Sequence, residues 1–184
     1  RHEGEEVGPP SVFLTDLDPY LPRRGRALDV ASGRGRNGLW LAERGLEVTL
    51  IDISEVALSI AGQEALERGV EVITVHSDLE PDGLPKGEWD VIICFHFLHR
   101  RLFSEMVQAL RPGGWLVCEV ATVANLERHP RPPRPFLLEP GELGLLTEGL
   151  QPIISTEGWT EEGRHNARFV GRRLGEAPTP DRRG

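Results

Sequence analysis

Ala27-Leu28-Asp29-Val30-Ala31-Ser32-Gly33-Arg34-Gly35-Arg36-Asn37-Gly38-Leu39-Trp40-Leu41-Ala42 decides the fold of this chain. An apolar strand over Arg26 to Val30 runs into a glycine-rich turn. An amphipathic helix follows over Arg36 to Arg44, closed by Gly45. A strand, a tight turn and a helix in that order open a parallel sheet whose ligands lie beyond the carboxyl ends of the strands.

Outward from this unit the alternation continues. Leu46 to Asp52 reads as a strand, and Ser54 as the N-cap of a helix over Glu55 to Arg68 that Gly69 stops. Val70 to His76 alternates as a third strand, and Trp89 to Phe95 is apolar enough for a central strand buried on both faces. A helix over Arg100 to Leu110, a turn at Arg111 to Gly114 and a strand over Trp115 to Val120 come next. Residues 122 to 138 are proline-rich and aperiodic, hence a long loop. A short helix over Glu139 to Thr147 then precedes strands over Leu150 to Thr156 and Asn166 to Arg173, which pair as a hairpin. The expectation is one α/β domain over residues 25–174, a Rossmann-like open and mostly parallel sheet with helices on both faces. Residues 1–24 would pack on it and 175–184 would form a disordered tail.

Composition narrows the function classes. The 184 residues fit one domain, and 29 acids against 21 Lys plus Arg give a net charge of −8. That balance disfavours nucleic acid as a partner. No apolar run approaches the ~20 residues that span a bilayer, so no membrane is expected. Cys94 and Cys118 both fall inside strands and read as buried thiols, which suits a reducing cytoplasm. No metal is expected, and the oligomeric state reads as monomer or weak dimer.

Gly33-x-Gly35-x-x-Gly38 satisfies the dinucleotide fingerprint, with Asp52 placed as a ribose-binding acid. Asp29 argues for another ligand. A carboxylate at the end of the first strand would repel a pyrophosphate but attract an α-ammonium group. The only lysine is Lys86, so no Tyr-x-x-x-Lys pair exists. S-adenosylmethionine uses each residue. Asp29 would take its amino group, and Gly33 and Gly35 would admit it close to the backbone. Ala31, Arg36 and Asn37 would line the turn and the helix start that faces its carboxylate. Asp52 would accept its ribose hydroxyls. Ile53, Asp78, Leu79 and Phe95 would surround its adenine or pack behind it. The product would be S-adenosyl-L-homocysteine.

At these residues the chain resembles the class I S-adenosylmethionine-dependent methyltransferases, over roughly residues 10–173. Leu28-Asp29-Val30-Ala31-Ser32-Gly33-Arg34-Gly35 is similar to that family's Leu-Asp-x-Gly-x-Gly-x-Gly, with Ala31 in place of the first glycine. Trp89-Asp90-Val91-Ile92 and Leu110-Arg111-Pro112-Gly113-Gly114 resemble two further family motifs. The resemblance implies seven strands with the last one antiparallel. Gly33 to Ala42 looks most like the small bacterial tellurite-resistance and thiopurine-type enzymes. Where the tellurite group carries a His-Arg pair ahead of its last strand, this chain has Gly158-Trp159, with Arg164 and Arg168 the nearest cations.

The methyl acceptor would be a small molecule, for instance a soft or anionic nucleophile. His96, after the fourth strand, is the candidate general base, and Glu119, near the end of the fifth, is the second catalytic candidate. The rival for His96 is a histidine satisfied by backbone. The rival for Glu119 is a strand-end acid paired with an arginine. His99 is either a substrate residue or a helix cap. Arg128, Arg131 and Arg134, in a basic loop, and Arg164 are candidate substrate cations. The alternatives are an RNA or protein methyltransferase and a cofactor-binding protein without catalysis.

Overall fold

The computed structural model describes residues 7–175; residues 1–6 and all of the expected tail but Gly175 lie outside the described residues. Helix α1 (Val12–Thr15) precedes β1 (Arg26–Val30), α2 (Arg36–Ala42), β2 (Glu47–Asp52), α3 (Glu55–Arg68) and β3 (Val72–His76). Then come α4 (Leu79–Asp82), β4 (Trp89–Phe95), α5 (Arg100–Ala109), β5 (Leu110–Ala121), α6 (Glu142–Leu146), β6 (Gln151–Trp159) and β7 (His165–Arg172). The strand order is β3-β2-β1-β4-β5-β7-β6, and β7 alone runs against its neighbours. This is the Rossmann-like sheet that the alternating pattern implies, and the order reverses between β1 and β4.

The pleat explains why the central strands are apolar throughout. In β1 and β4 alternate residues feed opposite layers: Leu28, Val30, Ile92 and Cys94 pack with α5, whereas Ala27, Val91, Ile93 and Phe95 pack with α2 and α3. Phe13, Leu14, Leu17 and Leu21 of the N-terminal segment join the second layer. Ser54 Oγ accepts from Ala57 N at 3.2 Å, and Gly69 ends α3 at φ +68°.

Some boundaries differ from the sequence reading. Arg111 to Gly114 is no free turn, because it continues β5 and pairs with the end of β7. Gly113 N donates to Arg173 O at 2.6 Å and Arg173 N to Gly114 O at 3.0 Å. Gly113 takes φ +81° there, and the register with β4 slips between Trp89 and Val91. Tertiary pairing overrides the Pro-Gly-Gly signal. Helix α6 begins only at Glu142, since Gly141 stands at φ +74° in the capping position. The hairpin is longer than expected, with Thr160 N donating to Arg164 O at 2.7 Å across a short turn. The loop after β5 holds two 3-10 turns, Val123–Glu127 and Arg134–Phe136.

Candidate active site

A cavity of about 350 Å³ opens at the carboxyl ends of β1 and β4, where the strand order reverses. Asp29, Ala31, Gly33, Arg36, Asn37 and Phe95 line it, together with Ser32 and with Val7 and Gly8 of the N-terminal segment. Asp29 is buried and its Oδ2 accepts from Gly38 N at 2.9 Å, so the same carboxyl group anchors the first turn of α2. Burial, reinforced by the nearby Asp52 charge, pushes the Asp29 carboxyl up to about 7. The Gly38 amide and the Arg36 charge oppose that rise.

The two turn glycines have different reasons. At Gly33 (φ +54°) an added Cβ would meet nothing within 4 Å, so the backbone there faces open space. At Gly35 (φ +75°) a Cβ would come within 2.9 Å of Leu50 Cδ1 and 3.1 Å of Ala61 Cβ. Gly35 therefore lets α2 pack on β2 and α3, and the expectation that it opens the way for a ligand is corrected. Ala31 stands at φ +53°, where the family motif's glycine would be unstrained.

Asp52 sits at the end of β2 with both oxygens engaged. Oδ2 accepts from Gly33 N at 2.7 Å and Oδ1 from Ser54 N at 2.8 Å. Each carboxylate oxygen keeps a further lone pair for a hydroxyl donor. Ile53 is exposed beside it. Asp78 is exposed and caps α4 by accepting from Glu80 N at 3.1 Å, and Leu79 is buried in the core.

A larger cavity, about 800 Å³, lies on the other side of His96. It is bounded by the end of β4, the end of β5, the loop after β5 and the start of β7. His96 lines both cavities. Its backbone takes φ +59°, uncommon for a residue with a Cβ and a mark of strained functional positions. Arg36 Nη2 stands 3.2 Å from His96 Nε2. A guanidinium only donates, so that nitrogen is the acceptor in the neutral ring. Desolvation holds the His96 pKa below the usual value of 6.5; the charges of Arg36 and Arg164 act the same way, and Glu119 opposes them.

Glu119 is buried and is paired with Arg168, Nε to Oε2 at 2.5 Å, across the β5–β7 register. Its other oxygen lies 3.7 Å from His96 Nε2. Glu119 is thus the strand-end acid paired with an arginine; it faces the histidine and lines neither of the two cavities. His99 occupies the N-cap position of α5 without a side-chain cap bond, and its Nδ1 is buried with no partner among the described residues. His99 thus holds the cap position through its backbone, Leu102 N donating to His99 O at 3.0 Å, and it lines neither cavity.

The basic loop does not act as one unit. Arg131 and Arg164 line the larger cavity. Arg128 instead stacks 3.7 Å over the Trp159 ring, and Arg134 pairs with Glu139 at 2.8 Å. Neither is a lining residue, because each already has a local partner. Sequence reading missed Ser32, whose buried Oγ has no partner among the described residues, and Asn166, which is buried and lines the larger cavity. The spacing Arg164-x-Asn166-x-Arg168 puts three polar groups on one face of a strand, a signal that was present in the sequence. Among the described residues no group of three or more His, Cys, Asp or Glu could hold a metal ion, and no helix is long and apolar enough to cross a membrane.

The smaller cavity fits S-adenosylmethionine on its own chemistry. A buried carboxyl suits an ammonium group, Ser32 Oγ lacks a partner among the described residues, and open space fronts Gly33. Comparison with known proteins points to the same cofactor. Residues 27–114 match the family described as "Methyltransferase domain". The ubiquinone biosynthesis O-methyltransferase of Marinobacter nauticus is 33% identical over 142 residues, 67% of this chain and 58% of the relative. TehB from Haemophilus influenzae has the same fold at TM-score 0.71 and 19% identity, over 88% of this chain and 61% of that one. The magnesium protoporphyrin IX methyltransferase of Synechocystis, crystallised with bound SAH, matches at TM-score 0.66 and 19% identity, over 86% and 78%. The chain spans about half the length of the curated relatives it matches.

Proposed function

We infer that this chain, which carries a class I S-adenosylmethionine-dependent methyltransferase domain, transfers the donor's methyl group to a small-molecule acceptor seated beside His96. The observation that carries the reading is His96 itself, a strained residue shared by the cavity that fits the donor and the larger cavity beyond it. In this reading Asp29 holds the donor's ammonium group and Arg36 its carboxylate. Asp52 takes the ribose hydroxyls, and the exposed Ile53 and Asp78 lie toward the adenine, with Leu79 packed in the core behind them.

The bound donor supplies a methyl group already activated by a sulfonium, so the protein's main task is alignment. Positioning of this kind is worth ~7–11 kcal/mol of barrier. With Arg36 turned from His96 Nε2 to the donor's carboxylate, that nitrogen accepts the proton that the acceptor loses at attack, and the imidazolium so formed faces Glu119 Oε1, 3.7 Å away. Arg168 pairs with that carboxylate and fixes its orientation. Such a base contributes about 10²–10⁴-fold. The two thiols are buried and shifted up, Cys94 to about 12, which suits inert packing in a reducing cytoplasm. A monomer or weak dimer is the proposed state.

Labelled methyl transfer from the donor into a cell lysate, fractionated afterwards, tests the reading. Label is expected in the small-molecule fraction and to be lost in His96→Asn. Label in RNA or protein, or donor binding with no transfer, overturns it.

A further inference from the structure

Resting on that reading, the larger cavity also specifies what kind of molecule it takes. The arginines around the site divide into two sets. Arg36 donates toward Pro9 O and His96, Arg100 binds Glu142, Arg128 stacks on Trp159, Arg134 pairs with Glu139 and Arg168 with Glu119. Arg131 and Arg164 line the larger cavity, and no carboxylate among the described residues pairs with either of them. Both are exposed at its rim, one from the loop after β5 and the other from the turn before β7. The acid that shares the lining, Glu80, comes from α4. The remaining walls are mostly apolar, with Phe97 and Phe136 the largest side chains and Asn166 the buried polar one.

A chain of net charge −8 that leaves two guanidinium groups unpaired at one apolar cavity concentrates positive potential there. A guanidinium fork matches a carboxylate better than a point charge does. We propose that the acceptor is an amphipathic monoanion, an apolar or aromatic body bearing a carboxylate that Arg131 and Arg164 hold at the rim. Its body packs between Phe97 and Phe136, and the atom to be methylated points inward to His96. Arg164 is close enough for its charge to act on the His96 ring, so the anion and the reacting atom occupy neighbouring parts of one cavity. The size agrees, since about 800 Å³ falls inside the usual range for small-ligand pockets.

The test uses 4-hydroxybenzoate and the neutral isostere 4-hydroxybenzamide, titrated into the full chain saturated with S-adenosylhomocysteine. The wild-type protein is expected to bind the benzoate about tenfold more tightly, the sum of two partly exposed ion pairs. In Arg131→Gln/Arg164→Gln the preference falls to about one, with amide binding and S-adenosylhomocysteine affinity unchanged. The Arg101→Ala variant makes a charge change of similar sign outside the cavity and keeps the preference. Circular dichroism confirms that the double variant is folded, and single variants, each expected to lose part of the preference, replace it if it is not. Equal wild-type affinities for the two probes, or a preference that survives both substitutions, overturn the proposal. Failure to bind S-adenosylhomocysteine at all would instead strike the methyltransferase reading beneath it.

Discussion

Two residues carry perturbations that the rest of the fold maintains. Asp29 is an acid whose pKa rises from 3.8 to about 7, first through burial and then through Asp52. The sign follows directly. A carboxyl group that is easier to ionise in the unfolded chain leaves its full stability in place below about pH 4. Stability then drains away as pH climbs toward about 7. Asp29→Asn, which keeps an oxygen for Gly38 N, should therefore melt higher than wild type at pH 8 and no higher at pH 4. It should also bind S-adenosylhomocysteine more weakly. Wild-type binding should release protons at pH 6, because the ligand's ammonium group demands the ionised acid, and almost none at pH 8.5. Calorimetry in two buffers of different ionisation enthalpy measures this directly, and equal heats at pH 6 would remove the assignment. His96 has the opposite shift, below 6.5, and is neutral at pH 7 with a lone pair on Nε2. With the donor saturating, so that Asp29 stays ionised, kcat should then fall as pH drops through a value under 6.5. His96→Asn is the informative variant, since Asn tolerates the left-handed backbone. It should lower kcat about 10²–10⁴-fold while leaving the S-adenosylhomocysteine Kd alone. A drop of less than about threefold would mean that His96 only shapes the cavity.

Elements show why some of this was readable in advance and some was not. The β1–turn–α2 unit announces itself because strand, glycines and amphipathic helix are local signals, and the Asp at a strand end marks the crevice. What one sequence cannot display is which neighbour forces each glycine. Gly35 and Gly38 look like ligand glycines, yet an added Cβ would strike Leu50 from β2, 2.9 Å away in one case and 2.2 Å in the other. Ala31 looks like a one-methyl change, yet its φ of +53° makes that methyl a source of strain. Ala31→Gly should raise stability by about 1 kcal/mol, the relief of a left-handed alanine less the extra chain entropy. Urea unfolding would show it. The loop after β5 defeats periodicity because its order comes from a distant helix. Arg100, on α5, donates to both oxygens of Glu142 at 2.5 and 2.9 Å, to Pro135 O at 3.1 Å and to Leu137 O at 3.1 Å. One side chain thereby pins the loop stretch next to Phe136. The pair holds the Glu142 carboxyl below its ordinary 4.5. Its contribution is thus present above about pH 4.5 and lost as pH falls through the lowered value. Arg100→Met should destabilise by about 1–2 kcal/mol at pH 7 and raise the acceptor KM without moving the donor Kd. A Kd for S-adenosylhomocysteine that changes in parallel would show that the effect is not confined to the loop.

At the scale of the whole molecule, the sheet divides the chain into a rigid platform and a wall that closes over it. The platform is the seven strands with an apolar layer on each face. The wall of the smaller cavity is the segment before β1, of which Val7 and Gly8 line the space itself. Phe13, Leu14, Leu17 and Leu21 anchor the later part of that segment in the core, whereas residues 7–11, which form the wall, are held by few bonds among the described residues. Ser11 N donates to Asn37 Oδ1 at 2.9 Å, and Arg36 Nη1 to Pro9 O at 3.4 Å. Phe13 packs against Phe95 with ring centroids 6.4 Å apart. A wall tied this lightly opens at lower free energy than the strands do, so its opening should set how fast a bound donor product leaves. Ser11 allows the bond to be removed alone. Its φ of −60° is already that of proline, its side chain makes no cap bond to α1, and only its N–H is engaged with Asn37. Ser11→Pro therefore deletes one backbone donor while stiffening the unfolded chain, two effects of about 1 kcal/mol or less that oppose each other in global stability. The folded midpoint in urea should barely move. Dissociation of S-adenosylhomocysteine should speed up several-fold, and amide exchange over residues 12–15 should quicken in the complex. If the midpoint falls sharply instead, the segment is part of the platform. If dissociation is unaltered while exchange quickens, the donor product leaves by some route other than this wall.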